Sequence, residues 1–474
     1  MVLASGLGVL AVALAWRSLG WPMIHDAAVM HYIAWLIDHG AAPYRDVFDM
    51  NTPGAYLAHL AVLRTLGSGD HAWRVFDLGW LLLTCMAVAA CVRPVGMLPA
   101  VVAALAFACY HLAGGAWCAG QRDYLLCALL LAAVALAGGP FDLRRFAGAG
   151  LAVGAGVTLK PPAALFLVVL VAAAVRSAAI DGRGRWPAAL SVLAGGAVAP
   201  LLCSAWLAWT GAFPAFVRVF GDYVLPLYSR LARVGPATAL SWAPYGWRTW
   251  ALLAALVVLA VPRALGDRRG VLVLAGVGYG LFHFLSQGKG WEYQLYPLAA
   301  FACVAAGLAL SWTRPVPRVA AVAAVALLAL TLWPKGVQAE APEWIAAKER
   351  RVARIVADLT ARVSPGAKVQ VLDTAEGGVH ALLVRGLRQP TRFVYDFHFF
   401  HDVEHPVVRA LRAELIRDLS AAPPSAVVVL ERGWPTGGYD RLQRFPELTA
   451  FLEAHYHLDR DDGEYRIYAK RAGP

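Results

Sequence analysis

Charge is what this sequence has least of. Only 15% of its 474 residues are Asp, Glu, Lys or Arg, against 59% hydrophobic residues and a mean hydropathy of +0.56. Soluble domains carry about 25% charged residues, so water does not solvate most of this chain. A basic tract with interleaved aromatics is also missing: the formal net charge of +11 is spread as single Lys and Arg residues between apolar runs. That pattern argues against nucleic acid as a partner and points to membrane topology and anionic lipid. None of the seven cysteines (Cys85, Cys91, Cys109, Cys118, Cys127, Cys203, Cys303) pairs with another at metal-ligand spacing, and all lie in or beside apolar runs, as small core residues do. There is no Gly-rich phosphate loop for a nucleotide sugar; the run from Gly148 to Gly156 reads as small-residue helix packing. The first apolar run, Val2 to Trp16, lacks a basic flank and a cleavage site and reads as a retained signal anchor.

What the sequence does have is repetition of apolar runs of about 17 to 22 residues. Spanning helices are expected near 2–20, 73–92, 97–113, 123–138, 146–159, 162–176, 188–210, 247–262, 270–286, 293–312 and 318–334, after which the composition becomes that of a soluble protein. The fold class is therefore an α-helical polytopic membrane protein of about eleven transmembrane helices, residues 1–334, with a C-terminal soluble α/β domain, residues 335–474. An odd number of spans puts the termini on opposite sides. The short connections of one side hold eleven arginines (Arg93, Arg144, Arg145, Arg176, Arg183, Arg185, Arg263, Arg268, Arg269, Arg314, Arg318) against three acids (Asp142, Asp181, Asp267). By the positive-inside rule these are cytoplasmic, so the α/β domain is expected outside a plasma (inner) membrane.

Nearly every unusual polar residue falls in the other set of connections. The first of them opens with His25-Asp26 and carries two interfacial helices around the turn Pro43-Tyr44-Arg45-Asp46-Val47-Phe48-Asp49-Met50-Asn51-Thr52-Pro53. Asp26, at the lip of a span, could be a helix cap or a general base. Arg122-Asp123-Tyr124 places a second acid at the outer end of a span, Lys160-Pro161-Pro162 a lysine between two runs, and Lys289-Gly290-Trp291-Glu292-Tyr293 a lysine and a tyrosine entering the next helix. A lone interfacial lysine often only snorkels, but two acids and two lysines at outer ends suggest one site for an anionic lipid headgroup. The long connection 211–246, rich in Phe, Tyr and Arg, reads equally well as a mobile cover or as an interfacial anchor.

In this order the motifs resemble the GT-C superfamily of polyprenyl-phosphate-sugar-dependent glycosyltransferases, and within it the protein O-mannosyltransferase and lipid A aminoarabinose transferase group. The resemblance covers residues 1 to 334 and implies a GT-C-like fold. It implies transfer of a single sugar from a polyprenyl-phosphate carrier to an extracytoplasmic glycan, lipid or protein, in cell-envelope polysaccharide biosynthesis. It gives Asp26 the role of the base that activates the acceptor and Asp123 that of an acid placing the acceptor or a metal, a divalent cation being the one candidate cofactor. Lys160, Lys289 and Tyr293 are implied to hold the lipid phosphate, with Arg122, Arg45, Asp49 and Asn51 as further substrate-binding residues. The chain departs from the group's pattern in having His25-Asp26 where many members have an acidic pair, and Asn51-Thr52-Pro53 where some have Lys-Pro-Pro. Two alternatives stand beside this reading: a flippase or transporter of lipid-linked saccharide, and an oligosaccharide ligase or polymerase of related architecture.

In the soluble part the periodicity predicts a helix over 345–363, a strand over 368–373, a helical stretch to 387, a short strand over 392–395, a helix over 405–419, a strand over 426–431 and two last strands near 456–458 and 464–469. The stretch Phe397-His398-Phe399-Phe400-His401-Asp402-Val403-Glu404-His405 has metal-ligand residue types but no helix register, and reads as interfacial.

Overall fold

The computed structural model describes residues 1–242, 244–339 and 343–471. Helix α1 (Val2–Arg17) is followed by two first-loop helices, α2 (Asp26–Asp38) and α3 (Pro53–Thr65). Then come α4 (Asp70–Val92), α5 (Met97–Ala113), α6 (Arg122–Ala137), α7 (Leu143–Leu159), α8 (Ala164–Ile180) and α9 (Arg185–Trp209). The long connection after α9 is itself helical: α10 (Phe213–Arg218) runs into a π-helix (Val219–Tyr228). After α11 (Pro236–Ser241) follow α12 (Trp247–Ala264), α13 (Arg268–Gln287), α14 (Tyr296–Leu310) and α15 (Pro315–Gln338).

A helix stands at each of the eleven expected spans, but they are not alike. Among the described residues eight, α1, α4, α8, α9 and α12 to α15, are long and apolar enough to cross a membrane. The other three, α5 to α7, have 16 or 17 residues, about 25 Å at ~1.5 Å per residue against a hydrocarbon core of about 30 Å. Apolar runs of that length are shared by spans and by buried core helices, which is why sequence counted them together. Every residue of α14 except Leu298 is buried, so this Ala-rich helix is the axis around which the bundle packs. Close approach elsewhere uses glycine as the sequence implied. A Cβ on Gly150 of α7 would sit 2.1 Å from the Val192 carbonyl oxygen of α9, and one on Gly195 of α9 would sit 2.0 Å from that of Ala147.

The soluble domain comprises α16 (Glu343–Arg362), β1 (Val369–Leu372), α17 (Gly378–Arg385), α18 (Pro406–Ala421), β2 (Ala426–Leu430), α19 (Pro446–His455), β3 (Tyr456–Asp461) and β4 (Tyr465–Lys470). The sheet order is β1-β2-β4-β3, with β1 parallel to β2 and the other pairs antiparallel. Residues 392–395, expected as a strand, do not join this sheet. Phe393 makes a single parallel bridge with Phe48 of the first loop, and the Phe48 amide donates to the Arg392 carbonyl at 2.7 Å. The apolar run that sequence reads as a strand is buried because it docks the domain onto the membrane part. Tyr32 of α2 donates to the Leu387 carbonyl at 3.0 Å and Arg392 to that of Tyr44 at 3.0 Å, so the soluble domain and the first loop share one core. Helix α19 and the 3-10 turn Tyr439–Arg444 before it had no sequence expectation.

Candidate active site

Three chain turns bring the site together. At the end of α1 the backbone reaches His25, held at φ 48°, and α2 begins at Asp26, whose carboxylate thus lies at a helix N-terminus, where the unpaired amides and the helix dipole favour negative charge. Before α6 the chain passes through Gly120 at φ +64°, where a Cβ would lie 2.0 Å from the Trp73 ring, so only glycine fits. Arg122 and Asp123 follow as the first residues of α6. Lys160 ends α7 in an extended conformation imposed by Pro161.

These turns line up alternating charges. Arg122 donates to Asp26 across 3.4 Å, and the next residue, Asp123, is fully buried and forms an ion pair with Lys160 at 3.0 Å. Both oxygens of Asp123 are engaged: Lys160 meets one, while His283 Nε2 at 2.7 Å and Gln287 Nε2 at 3.2 Å meet the other. A carboxylate only accepts, so His283 donates from Nε2, and its Nδ1 lies 3.2 Å from the Tyr279 hydroxyl. Lys160 also donates to Gln287 Oε1 at 2.9 Å, and Gln294 donates to the same oxygen at 3.1 Å. Asp26 is different. Its side chain is 30% exposed and Arg122 is its one ion-pair partner among the described residues.

Three tyrosines close over this row. Tyr293, in the 3-10 turn before α14, is buried within Coulomb range of Asp26, Arg122 and Asp123. Tyr228, the last residue of the π-helix, and Tyr395, from the soluble domain, both lie within range of Asp26, Asp49 and Arg122. Burial first, and the nearby carboxylates second, push both hydroxyls above the ordinary tyrosine value, so both remain proton donors. The Tyr395 hydroxyl is buried with no hydrogen-bond partner among the described residues, a cost of about 1–3 kcal/mol that a bound polar group would remove.

The remaining expected residues sit elsewhere or are occupied. Asp49, fully buried, accepts from the Asn51 amide, the Asn51 side chain and the Tyr56 hydroxyl at 3.1, 2.9 and 2.6 Å, and burial pushes its carboxyl above the usual range. Asp49 and Asn51 therefore hold the turn. That turn matters to the site because Thr52 donates to the Leu159 carbonyl at 3.0 Å, beside Lys160. Arg45 pairs with Asp46 at 2.8 Å and is half-exposed on a separate cleft. Lys289 donates to the backbone carbonyls of Tyr228 and Leu231 and lies 5.0 Å from the Tyr228 ring; burial pushes its ammonium down to about 8. It fastens the end of the π-helix.

A second polar network supports the site from within the bundle. Arg74 pairs with Asp77, which accepts from His111 Nε2 at 3.0 Å and from the Gly120 amide at 2.6 Å, and His111 Nδ1 meets the Tyr296 hydroxyl at 2.8 Å. It pins the turn that presents Arg122 and Asp123. In the soluble domain His398 and His401 both contact the Tyr223 hydroxyl of the π-helix, at 2.7 and 2.8 Å, and His405 caps α18. Among the described residues no group of three or more His, Cys, Asp or Glu is placed to hold a metal ion. Asp26 and Asp123 are each already met by a cationic side chain, a donor set that does not fit a divalent cation.

His283, Gln287, Gln294 and Tyr395 carried no sequence assignment, and Tyr228 was read only as part of the 211–246 connection, as cover or as anchor. For His283 and Gln287 a signal existed: two polar residues at i, i+4 on one face of an otherwise apolar span. Tyr395 had none, because only tertiary docking brings it here.

The architecture is a helical bundle with two first-loop helices and an α/β domain docked on them. Among solved structures the chain is similar to ArnT from Cupriavidus metallidurans, both bound to undecaprenyl phosphate (TM-score 0.64, 12% identity, 99% of this chain and 98% of that one) and in the apo state (TM-score 0.62, 14% identity, 99% of each chain). At that identity the likeness is one of fold. No protein-family model matches the chain, and no curated protein matches its sequence.

Proposed function

We propose that the chain is a glycosyltransferase that moves one sugar from a polyprenyl-phosphate carrier to an acceptor glycan, lipid or protein on the outer side of the plasma membrane. The row Asp26, Arg122, Asp123, Lys160 at the outer ends of membrane helices carries the reading, and the fold of ArnT, one structure of which holds undecaprenyl phosphate, supports it. Asp26 takes the proton from the acceptor hydroxyl or amine. The acceptor atom then bonds to the anomeric carbon as the bond from that carbon to the phosphate oxygen breaks, and the electron pair leaves with the lipid phosphate. Arg122 and Lys160 neutralise that charge where it develops, while Tyr293, Tyr228 and Tyr395 donate hydrogen bonds to donor oxygens. Asp123, with both oxygens engaged, is a positioning residue that aims Lys160. No step is routed through a divalent cation.

The reading requires the site and the α/β domain to lie outside the cytoplasm. In a background lacking the seven native cysteines, a cysteine at the exposed Ser420 is expected to react with a membrane-impermeant maleimide in intact spheroplasts. One at Arg183, in a short arginine-bearing connection, is expected not to. The reverse pattern would turn the site toward the cytoplasm and overturn the lipid-phosphate mechanism. Pro474, at the end of the domain, lies outside the described residues.

A further inference from the structure

The end of the bundle away from the Asp26 row is rich in unpaired cations. Helix α8 leaves the Lys160 turn and α13 arrives at Gln287, so the C-terminus of α8 and the N-terminus of α13 lie about 25–30 Å from the row, at ~1.5 Å per residue. None of the eleven arginines in the short connections at that end forms an ion pair among the described residues, whereas Arg74, Arg122, Arg351 and Arg441 elsewhere all do. The three carboxylates there, Asp142, Asp181 and Asp267, are exposed and equally unpaired among the described residues. Helix α13 even opens with Arg268-Arg269 at the positive end of its dipole, an arrangement that repels unless an anion sits close.

Between these two helix ends lies a cleft of about 270 Å³. Sites for whole drug-sized ligands begin at about 300 Å³, so this one suits a headgroup. Arg176 and Arg268 line it against one carboxylate, Asp267. Arg176 is exposed and has no hydrogen-bond or ion-pair partner among the described residues. Arg268 gives one N–H to the Gly139 carbonyl at 3.2 Å and keeps the rest of its fork. Arg145 and Arg269 close around the same Gly138-Gly139 turn, and the Arg269 Nε is buried with no partner among the described residues, so the field at the cleft is more positive than its lining alone. The rim is apolar: Ile180, Leu265 and Val271 are exposed on it.

We propose that this cleft binds the headgroup of an anionic phospholipid in the leaflet opposite the Asp26 row. Arg176 and Arg268 donate to the phosphate, and an acyl chain runs over Ile180, Leu265 and Val271 into the membrane. The apolar rim separates a lipid from a free phosphate ion, which offers it nothing to bury. A zwitterionic headgroup would bring an ammonium close to Arg145, Arg268 and Arg269, where like charge repels it. The bound lipid ties together two helices whose far ends carry Lys160 and the pair His283 and Gln287, and so stabilises the folded protein by mass action.

The test is native mass spectrometry and thermal unfolding of the delipidated full-length protein in detergent. The probes are phosphatidylglycerol, phosphatidylethanolamine and phosphatidylcholine with identical chains, and inorganic phosphate alone. Phosphatidylglycerol is expected to form a one-to-one adduct and raise the thermal midpoint, and the other three to bind about fivefold or more weakly. Arg176→Gln should weaken the phosphatidylglycerol adduct about fivefold, and adding Arg268→Gln should weaken it by about the same factor again. Because Arg176 is exposed and unpartnered, the lipid-free midpoint of Arg176→Gln should match wild type, so its loss of binding reports the cleft. Arg314→Gln with Arg318→Gln removes two exposed arginines of the same end that lie outside the cleft, and should bind as wild type does. No adduct with wild type, equal binding of the zwitterionic lipids, the same midpoint rise with phosphate alone, unchanged binding by Arg176→Gln, or an equal loss in the Arg314, Arg318 control would overturn the proposal.

Discussion

Asp26→Asn is expected to lower sugar transfer by about two to four orders of magnitude, the range that a positioned general base contributes, with the protein still folded and inserted. The substitution keeps the shape of the side chain and removes its proton affinity. Little structure depends on the charge, since Asp26 is 30% exposed and its ion-pair contact with Arg122 spans 3.4 Å; pairs of that kind contribute about 0–1 kcal/mol. Asp26→Glu should regain little, because a base displaced by one methylene misses a geometry that must hold to about 0.5 Å. The comparison is turnover per inserted molecule, with membrane abundance measured alongside. Wild-type turnover by the Asn variant would remove Asp26 from the mechanism.

Lys160→Ala should act on both stability and chemistry. It strips the cation from Asp123, which is fully buried, and leaves that carboxylate to His283 and Gln287. Breaking a buried pair by removing one partner costs about 3–5 kcal/mol, visible as a fall in the thermal midpoint of the detergent-purified protein. Adding Asp123→Asn should return part of that stability, since the orphaned charge is then gone, but none of the activity, because the departing phosphate still lacks its cation. If Lys160→Ala neither unfolds the protein earlier nor changes its dependence on lipid-linked donor, Lys160 only snorkels.

The contrast between these two residues explains how much of the site could be read in advance. Asp26, Arg122, Asp123, Lys160 and Tyr293 were legible because charge and polar groups at the lip of an apolar run are expensive and therefore few. Their division of labour was not. Asp123 and Asp26 look alike in sequence, and only the convergence of α13 and the Lys160 turn on Asp123 separates a locked carboxylate from an accessible one. Lys289 has the same spelling as Lys160 but spends its donors on the carbonyls that end the π-helix, and nothing local to residues 219–228 distinguishes a π-helix from an α-helix.

The fold shows the same limit. The eleven apolar runs were visible because lipid tolerates little else, whereas the short α5, α6 and α7 differ from the long spans by a few residues that hydropathy does not weigh. The run Phe393-Val394-Tyr395 has strand composition, yet its partners are Phe48 and the Asp26 row rather than β1. That misreading hid the residue by which the soluble domain reaches the membrane site. Tyr395, buried and unpartnered, gives the domain a part in the site that its α/β topology alone would not suggest.

The central claim, transfer of one sugar from a polyprenyl-phosphate carrier, is tested most directly by mass spectrometry of envelope glycans and lipid carriers from a deletion strain complemented with wild type or with Asp26→Asn. Loss of a single glycosyl residue from the glycan together with accumulation of the monoglycosylated polyprenyl phosphate, reversed by wild type and not by Asp26→Asn, is the result predicted. An unchanged glycan, loss of a whole oligosaccharide unit, or restoration by Asp26→Asn would contradict it.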